Sequence, residues 1–276
     1  MSLRIIVSIK QVPDPEHFHK ISLDPRTGTI TRTGIPLVTN PLDRHALEEA
    51  LIMKERHGGF VYAITMGPPQ ARKVIEDALA MGVDGGAILC DQLFAGSDTL
   101  ATAGILSAGV RYFGDCDLIL CGNDTVDGAT GQVPAQLAEF LGIPHVTHVR
   151  KIDMLDEKTA VVERSIEGGY LKIKVRFPAV ISVLKNINRY RLPTVMGIVE
   201  AAGKEIVVLD ALTCREFGIS EEKMGIKGSP TKVAEVFEST MKRNVYMIEG
   251  EPEDVARKLV KTLRERGLLS IQRGKV

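Results

Sequence analysis

The sequence has no excess of charge of either sign: Lys+Arg and Asp+Glu each number 35. Bulk charge therefore forces no polyanion-binding surface, and no nucleic-acid partner is expected. No apolar run approaches the ~18–20 residues that span a bilayer, so no direct membrane span is expected. The four cysteines, Cys90, Cys116, Cys121 and Cys214, form no CxxC pair. They read as reduced core thiols of a cytoplasmic protein, membrane-associated at most through a partner. Met1–Lys10 runs into a strand-like segment with neither a signal-peptide h-region nor an Arg/Ser-rich transit pattern. Tryptophan is absent, and no internal repeat or low-complexity tract is found. What is present is ordinary globular material. The 276 residues are 44% hydrophobic and 25% charged, which excludes a disordered chain and allows one large domain or two smaller ones.

Residues 1–150 alternate strand and helix patterns. Leu3–Ile9 is a β-branched apolar run. Asn40-Pro-Leu-Asp43 opens a helix, with Asn40 at the N-cap, Pro41 in the first turn and Asp43 at the positive end of the dipole. Leu42, Ala46, Leu47, Ala50 and Leu51 form its apolar stripe, and His57-Gly58-Gly59 stops it. Strands follow at Phe60–Thr65, Ala87–Cys90 and Asp117–Cys121. Helices begin at Pro68-Pro69, at Ser97 or Asp98, and at Gly131. The Ala- and Gly-rich third helix predicts close packing against a neighbour. After residue 150, Ala160–Ser165 and Tyr170–Phe177 flank Glu167-Gly168-Gly169 as a hairpin, and Ala179–Leu184 reads as a buried strand. The fold class is α/β: a doubly wound, mostly parallel sheet with added antiparallel edge strands and an extended C-terminal arm. Residues 1–209 form the α/β domain. Residues 210–276 form the arm, aperiodic to about Gly250 and ending in a helix that starts near Glu251.

Ligands of such sheets bind at the carboxyl ends of the strands. Four segments fall there: Ser8–Asp14, Asn40–Asp43, Thr65–Pro69 and Cys121–Val133. The last is rich in Gly122, Gly128 and Gly131, offers Asn123, Thr125 and Thr130, and ends on a helix N-terminus. It suits a diphosphate cradle or, equally, a capped glycine turn. There is no GxGxxG and no Walker P-loop pattern. The pairs His145/His148 and His17/His19 lack partners at ligand spacing, so no metal site is expected. Asp14 and Glu16 read as a solvated turn, and Lys172, Lys174, Arg176 and Lys185 as a solvated strand face or, alternatively, a docking surface. No nucleophile–base set is evident, and no catalytic residue is assigned.

The chain resembles the β subunit of electron transfer flavoproteins over nearly its full length. The resemblance rests on seven segments in order. These are Lys10-Gln-Val-Pro-Asp14, Asn40-Pro-Leu-Asp43 with Ala46-Leu47-Glu48, Met66-Gly-Pro-Pro-Gln70 and Ala95–Ala101. They continue with Cys121–Pro134, Val162–Gly169 with Phe177-Pro-Ala-Val180, and Gly228-Ser-Pro-Thr-Lys-Val233. The resemblance implies a heterodimer with an α subunit that carries an electron-transferring FAD on a mobile domain, the arm packing on that partner. It implies an adenine nucleotide in this chain, contacted by Ser8, Asn40, Pro41, Leu42, Asp43 and Met66. The contacts continue over Asn123, Asp124, Thr125, Val126, Asp127, Gly128, Ala129, Thr130, Gly131, Gln132, Val133 and Pro134. The run Thr125–Val133 is similar to bifurcating members, in which the nucleotide is a second FAD that takes hydride from NADH. The alternative is the ordinary carrier with structural AMP, which accepts electrons from acyl-CoA-type dehydrogenases. A docking loop for a dehydrogenase or quinone oxidoreductase is expected around Asn188–Met196, with Leu192 as the apolar anchor. This loop lacks the family's usual proline before its first arginine, and Val199–Lys204 carries one lysine where the family has a Lys-rich run.

Overall fold

A computed structural model describes residues 3–20, 22–23, 30–31, 34–156, 158–234 and 245–269. Of the expected arm, residues 235–244 and 270–276 lie outside the described residues, as does the side chain of His19. The chain divides into two units, Met1–Glu235 and Val236–Val276. In the first, strands and helices follow one another as β1 (Leu3–Ser8), α1 (Pro41–His57), β2 (Gly59–Met66), α2 (Arg72–Met81), β3 (Gly85–Leu89), α3 (Thr99–Tyr112), β4 (Leu118–Gly122) and α4 (Val133–Leu141). Then come β5 (His145–Asp156), β6 (Thr159–Ile166), β7 (Gly169–Arg176), β8 (Ala179–Val183), α5 (Val195–Ala202), β9 (Ile206–Leu209) and α6 (Ala211–Glu216). Gln11–Pro13 and Leu37–Thr39 form a small antiparallel ribbon before α1. The second unit contains α7 (Pro252–Glu265), entered through Glu253 and Asp254 and left through Arg264.

The nine strands form one sheet in the order β7-β6-β5-β8-β4-β1-β2-β3-β9. From β5 to β9 every neighbour is parallel, and the β6–β7 hairpin extends β5 antiparallel. Each central strand is apolar on both faces because each face is covered. Ile5, Val7, Val61, Leu118 and Leu120 face Leu47, Leu51, Ile75 and Leu79 of α1 and α2. Ile6, Ile64, Leu89 and Ile119 face Ile105 and Leu106 of α3 and Leu137 of α4. The small residues of α3 do allow close packing: a Cβ on Gly104 would sit 3.2 Å from the Phe140 ring on α4.

Three elements escape the sequence pattern. β5 carries three register shifts, one opposite β8 between Ile181 and Val183 and two opposite β6, between Thr159 and Ala160 and between Glu163 and Arg164. Its buried Val146 and Val149 thus lie three apart, and period-2 alternation is lost. α5 buries none of its residues, and β9 is four residues long. The aperiodic stretch after Asp210 is not wholly extended. Asp210 caps α6 by accepting from Thr213 N, and Ala211, Cys214, Ile219 and Met224 enter the core on the α3 face. The next turn is tied down by polar contacts: Asp98 N donates to Ser229 Oγ at 2.8 Å, and Thr231 N donates to Asp98 Oδ2 at 3.0 Å.

The chain passes from β1 outward to β2 and β3, then returns to β4 on the other side of β1. The sheet's switch point therefore lies between β1 and β4, where Ser8 pairs with Cys121. One side chain joins the two strand ends. Asp43, in the first turn of α1, accepts from Lys10 N at 2.8 Å through Oδ2 and from Gly122 N at 3.1 Å through Oδ1. Gly122 is required by this approach, since a Cβ there would lie 2.3 Å from Asp43 Oδ1. Asp43 is 5% exposed. Burial pushes its carboxyl up to about 7, against the opposing pull of Asn40, the two amides and the Lys10 charge.

Asp43→Asn presents one oxygen and one NH2 to two N–H donors, so one buried amide loses its acceptor. The expected loss is about 1–3 kcal/mol in urea unfolding. Gly122→Ala should cost a similar ~1–3 kcal/mol through overpacking. The native Asp43 carboxyl binds its proton more tightly than the unfolded one, whose pKa is ~3.9. Its contribution is therefore fully present below about pH 4 and declines as pH rises to about 7. The stability advantage of wild type over Asp43→Asn should narrow across that window, and an advantage that is flat or widens there contradicts the assignment.

Candidate functional site

A cavity of about 300 Å³ opens at the switch point. Ser8, Ile9 and Lys10 at the end of β1 form one wall, with Asp43 and Met66 beside them. Ser97, Asp98 and Thr99 form another with Thr102 and Leu106 of α3, and Cys121–Thr125, Gly128 and Thr130–Pro134 complete it.

The loop between β4 and α4 is built by its own short polar residues. Thr125 N donates to Asp124 Oδ1 at 2.7 Å, Gly128 N to Thr125 Oγ1 at 3.3 Å, and Ala129 N to Thr125 O at 2.9 Å. Ala129 has φ +49°, a left-handed conformation that costs a non-glycine residue of order 1–3 kcal/mol and needs the surrounding contacts to hold it. Asn40 supplies some of them. It stands at the N-cap of α1, but its side chain makes no cap bond there. Instead Nδ2 donates to Asp124 O at 2.8 Å and Oδ1 accepts from Val126 N at 3.4 Å. The loop's entry is fixed to β8, where Asn123 N donates to Val183 O and Ser182 Oγ donates to Asn123 Oδ1. Its exit is fixed to α3, where Thr99 Oγ1 donates to Gln132 Oε1 at 3.0 Å. Among the described residues, the amides of Thr130, Gly131 and Gln132 have no hydrogen-bond acceptor, and they stand at the mouth of α4.

Lys10 is the cation of the cavity wall, and its Nζ lies 2.8 Å from Asp127 Oδ1. Asp98 and Asp124, and Asp43 with its raised carboxyl pKa, are the acidic groups of the wall, each engaged by backbone N–H groups. An anionic ligand would therefore be met by peptide dipoles and short polar side chains rather than by a cluster of cations.

Of the residues singled out from the sequence, Ser8, Asp43, Met66, Asn123, Asp124, Thr125, Gly128, Thr130, Gly131, Gln132, Val133 and Pro134 line this one cavity. Asn40, Pro41, Leu42, Val126, Asp127 and Ala129 do not. Asn40 and Asp127 instead brace the loop. Ser97, Asp98, Thr99, Thr102 and Leu106 were not singled out; the strand-end rule, applied to the loop after β3, reaches the first three. Leu192 lies elsewhere, 71% exposed, ahead of the exposed Val195 and Met196. His145 and His148 are exposed, and His17 Nδ1 lies 3.1 Å from Asp14 Oδ2. Among the described residues no His/Cys/Asp/Glu group could hold a metal ion. The four cysteines are free thiols. Burial pushes Cys116 up to about 11 and Cys214 up to about 12, which favours the thiol over the thiolate at both. No described helix is long and apolar enough to cross a membrane.

Comparison with known proteins agrees with this layout. The family model described as "Electron transfer flavoprotein domain" matches residues 27–213. The electron transfer flavoprotein subunit beta of Thermoanaerobacterium thermosaccharolyticum is 40% identical over 97% of this chain and 100% of its own length. The caffeyl-CoA reductase-Etf complex subunit CarD of Acetobacterium woodii is 39% identical over 97% and 100%. Protein FixA of Sinorhizobium fredii is 39% identical over 95% and 93%. A match of this length and order shows that the chain belongs to the electron transfer flavoprotein family as a beta subunit.

Proposed function

We propose that the switch-point cavity holds the adenylate and diphosphate end of an FAD, and that this chain is the NADH-oxidising subunit of a bifurcating electron transfer flavoprotein heterodimer. The observation that carries the reading is the β4–α4 loop. Among the described residues it leaves the amides of Thr130, Gly131 and Gln132 without acceptors beside the cavity, and it pairs Asp127 with Lys10. A diphosphate fits that donor set. Thr125 and Thr130 would hydrogen-bond it, while Ser8, Asp43 and Met66 would enclose the nucleoside part. A bound flavin would supply the hydride and single-electron chemistry, while the chain orients it and sets its electrostatics. The relatives named for CoA-ester reduction, the caffeyl-CoA reductase-Etf complex and an acryloyl-CoA reductase electron transfer subunit, are consistent with such a role.

A structural AMP is the second reading, and the cavity's size favours it. At about 300 Å³ the cavity is at the small end of the ~300–1,000 Å³ range of ligand pockets. It suits a mononucleotide, and a dinucleotide would extend beyond it. The α subunit is the expected partner in either case, with the second unit, residues 236–276, packing on it. A flavin dehydrogenase or reductase would dock on Leu192 and the apolar residues that follow.

Denaturing the purified heterodimer and separating the released nucleotides should yield two FAD per αβ pair, and NADH should bleach the flavin absorbance. One FAD with one AMP, and no bleaching, establishes the second reading. Asn40→Ala removes both bonds to the cradle and should weaken nucleotide retention about tenfold. Truncation after Glu235 keeps the buried Cys214 and Met224. It should leave a folded subunit by circular dichroism that no longer co-elutes with the α subunit in gel filtration.

A further inference from the structure

The segment that precedes Leu192 is held to α1 by a dense set of contacts. Arg191 straddles Glu48: its Nε and its own backbone N both donate to Oε2 at 2.9 Å, and Nη2 donates to Oε1 at 2.9 Å. Glu48 is 5% exposed, so this carboxylate has little access to water as an alternative partner. Nη1 of the same guanidinium reaches Glu55, two turns further along α1. One turn earlier, Asn188 Nδ2 donates to His45 O and to Glu49 Oε2, each at 3.0 Å. The Tyr190 ring meets the His45 ring edge-on, with centroids 5.0 Å apart.

Beyond Arg191 the character changes at once. Leu192, Val195 and Met196 are 71%, 79% and 66% exposed. The chain is then fixed again at Gly197, where α5 crosses α2 so closely that a Cβ would lie 2.3 Å from Ala80 O. The apolar strip is thus suspended between two anchors. A free loop of this kind would lose much of its binding energy to ordering, and a strip fixed at both ends does not.

We infer that Arg191 and Glu48 are positioning residues for partner recognition: their fork holds the Leu192–Met196 strip in its docking conformation. The inference rests on the proposed docking role of Leu192. α1 is 17 residues long, and its first turn carries Asp43 at the cavity. The same rigid helix, about 25 Å long, therefore sets the position of both the cavity and the strip. Lysine cannot replace Arg191, because an ammonium cannot span both carboxylate oxygens in the fork geometry.

The test uses the αβ heterodimer and an acyl-CoA dehydrogenase that saturates its wild-type form, with flavin reduction followed against dehydrogenase concentration. Arg191→Lys and Glu48→Gln should each raise KM for the dehydrogenase about tenfold, with kcat held within about twofold. The double variant should be no worse than either single one, because both remove the same fork. Leu192→Ala should also raise KM. If Leu192→Ala raises KM while Arg191→Lys and Glu48→Gln leave it at the wild-type value, the positioning role is overturned and docking at Leu192 stands. If Leu192→Ala leaves KM unchanged, the docking reading is overturned and the positioning role with it. A fall in kcat at unchanged KM in the fork variants overturns the inference as well.

Discussion

A single carboxylate holds together the point where this sheet reverses direction. β1 and β4 are hydrogen-bonded along their length, but their carboxyl ends must part to leave a crevice, and backbone amides at the parting lose their ladder partners. Asp43 accepts from one amide on each side, at Lys10 and at Gly122. The cost is a buried carboxyl with a raised pKa. The return is a tie between the two strand ends at the floor of the crevice. Leu42 and Asp43 crowd Gly122 so tightly that no side chain fits between α1 and β4. Everything at the site is arranged around that tie: Asn40 one turn back bracing the loop, Lys10 beside it pairing with Asp127, and Glu48 further along α1 gripping Arg191.

The electrostatics of the cavity follow from the same economy of charge. A phosphate site built from lysines and arginines would attract many anions. Here the cation in the wall is already paired, and the carboxylates are satisfied by backbone donors. What remains for a ligand is peptide dipole at the mouth of α4 and hydroxyls at close range. Such a site would discriminate by shape and by the placement of hydrogen bonds, as the proposed retention of one nucleotide requires. The surface that would meet an electron-transfer partner lies at a distance from it, on the loop between β8 and α5. The cavity and the Leu192 loop are thus separated in space, and α1 contacts both.

Much of this was legible in the sequence because the first half obeys simple periods. Apolar runs of five to eight residues separated by helices with clear start and stop residues specify a doubly wound sheet, and the strand-end rule then points to Ser8, Met66 and the Asn123–Pro134 loop. The misses have physical causes. β5 is long, but its three register shifts move its inward residues out of phase. α5 has no buried face to impose a helical stripe. Residues 211–229 are held by a capping aspartate, scattered apolar residues and the Asp98–Ser229 contact, none of which leaves a periodic trace. Asn40 was read as a helix cap. The preference is local, and the tertiary demand of the Asp124 carbonyl overrides it. The Arg191–Glu48 fork joins residues far apart in the chain, and no spacing rule brings them together.

The central claim is that the loop after β4 holds the phosphates of an adenine nucleotide by its backbone at the entrance of α4. The most direct measurement is an experimental structure of the purified heterodimer without added nucleotide. The account predicts phosphate density within hydrogen-bonding distance of the Thr130, Gly131 and Gln132 amides, with the adenosine enclosed near Ser8 and Met66. A cavity filled by its own side chains, or a nucleotide bound elsewhere on this subunit, would contradict it.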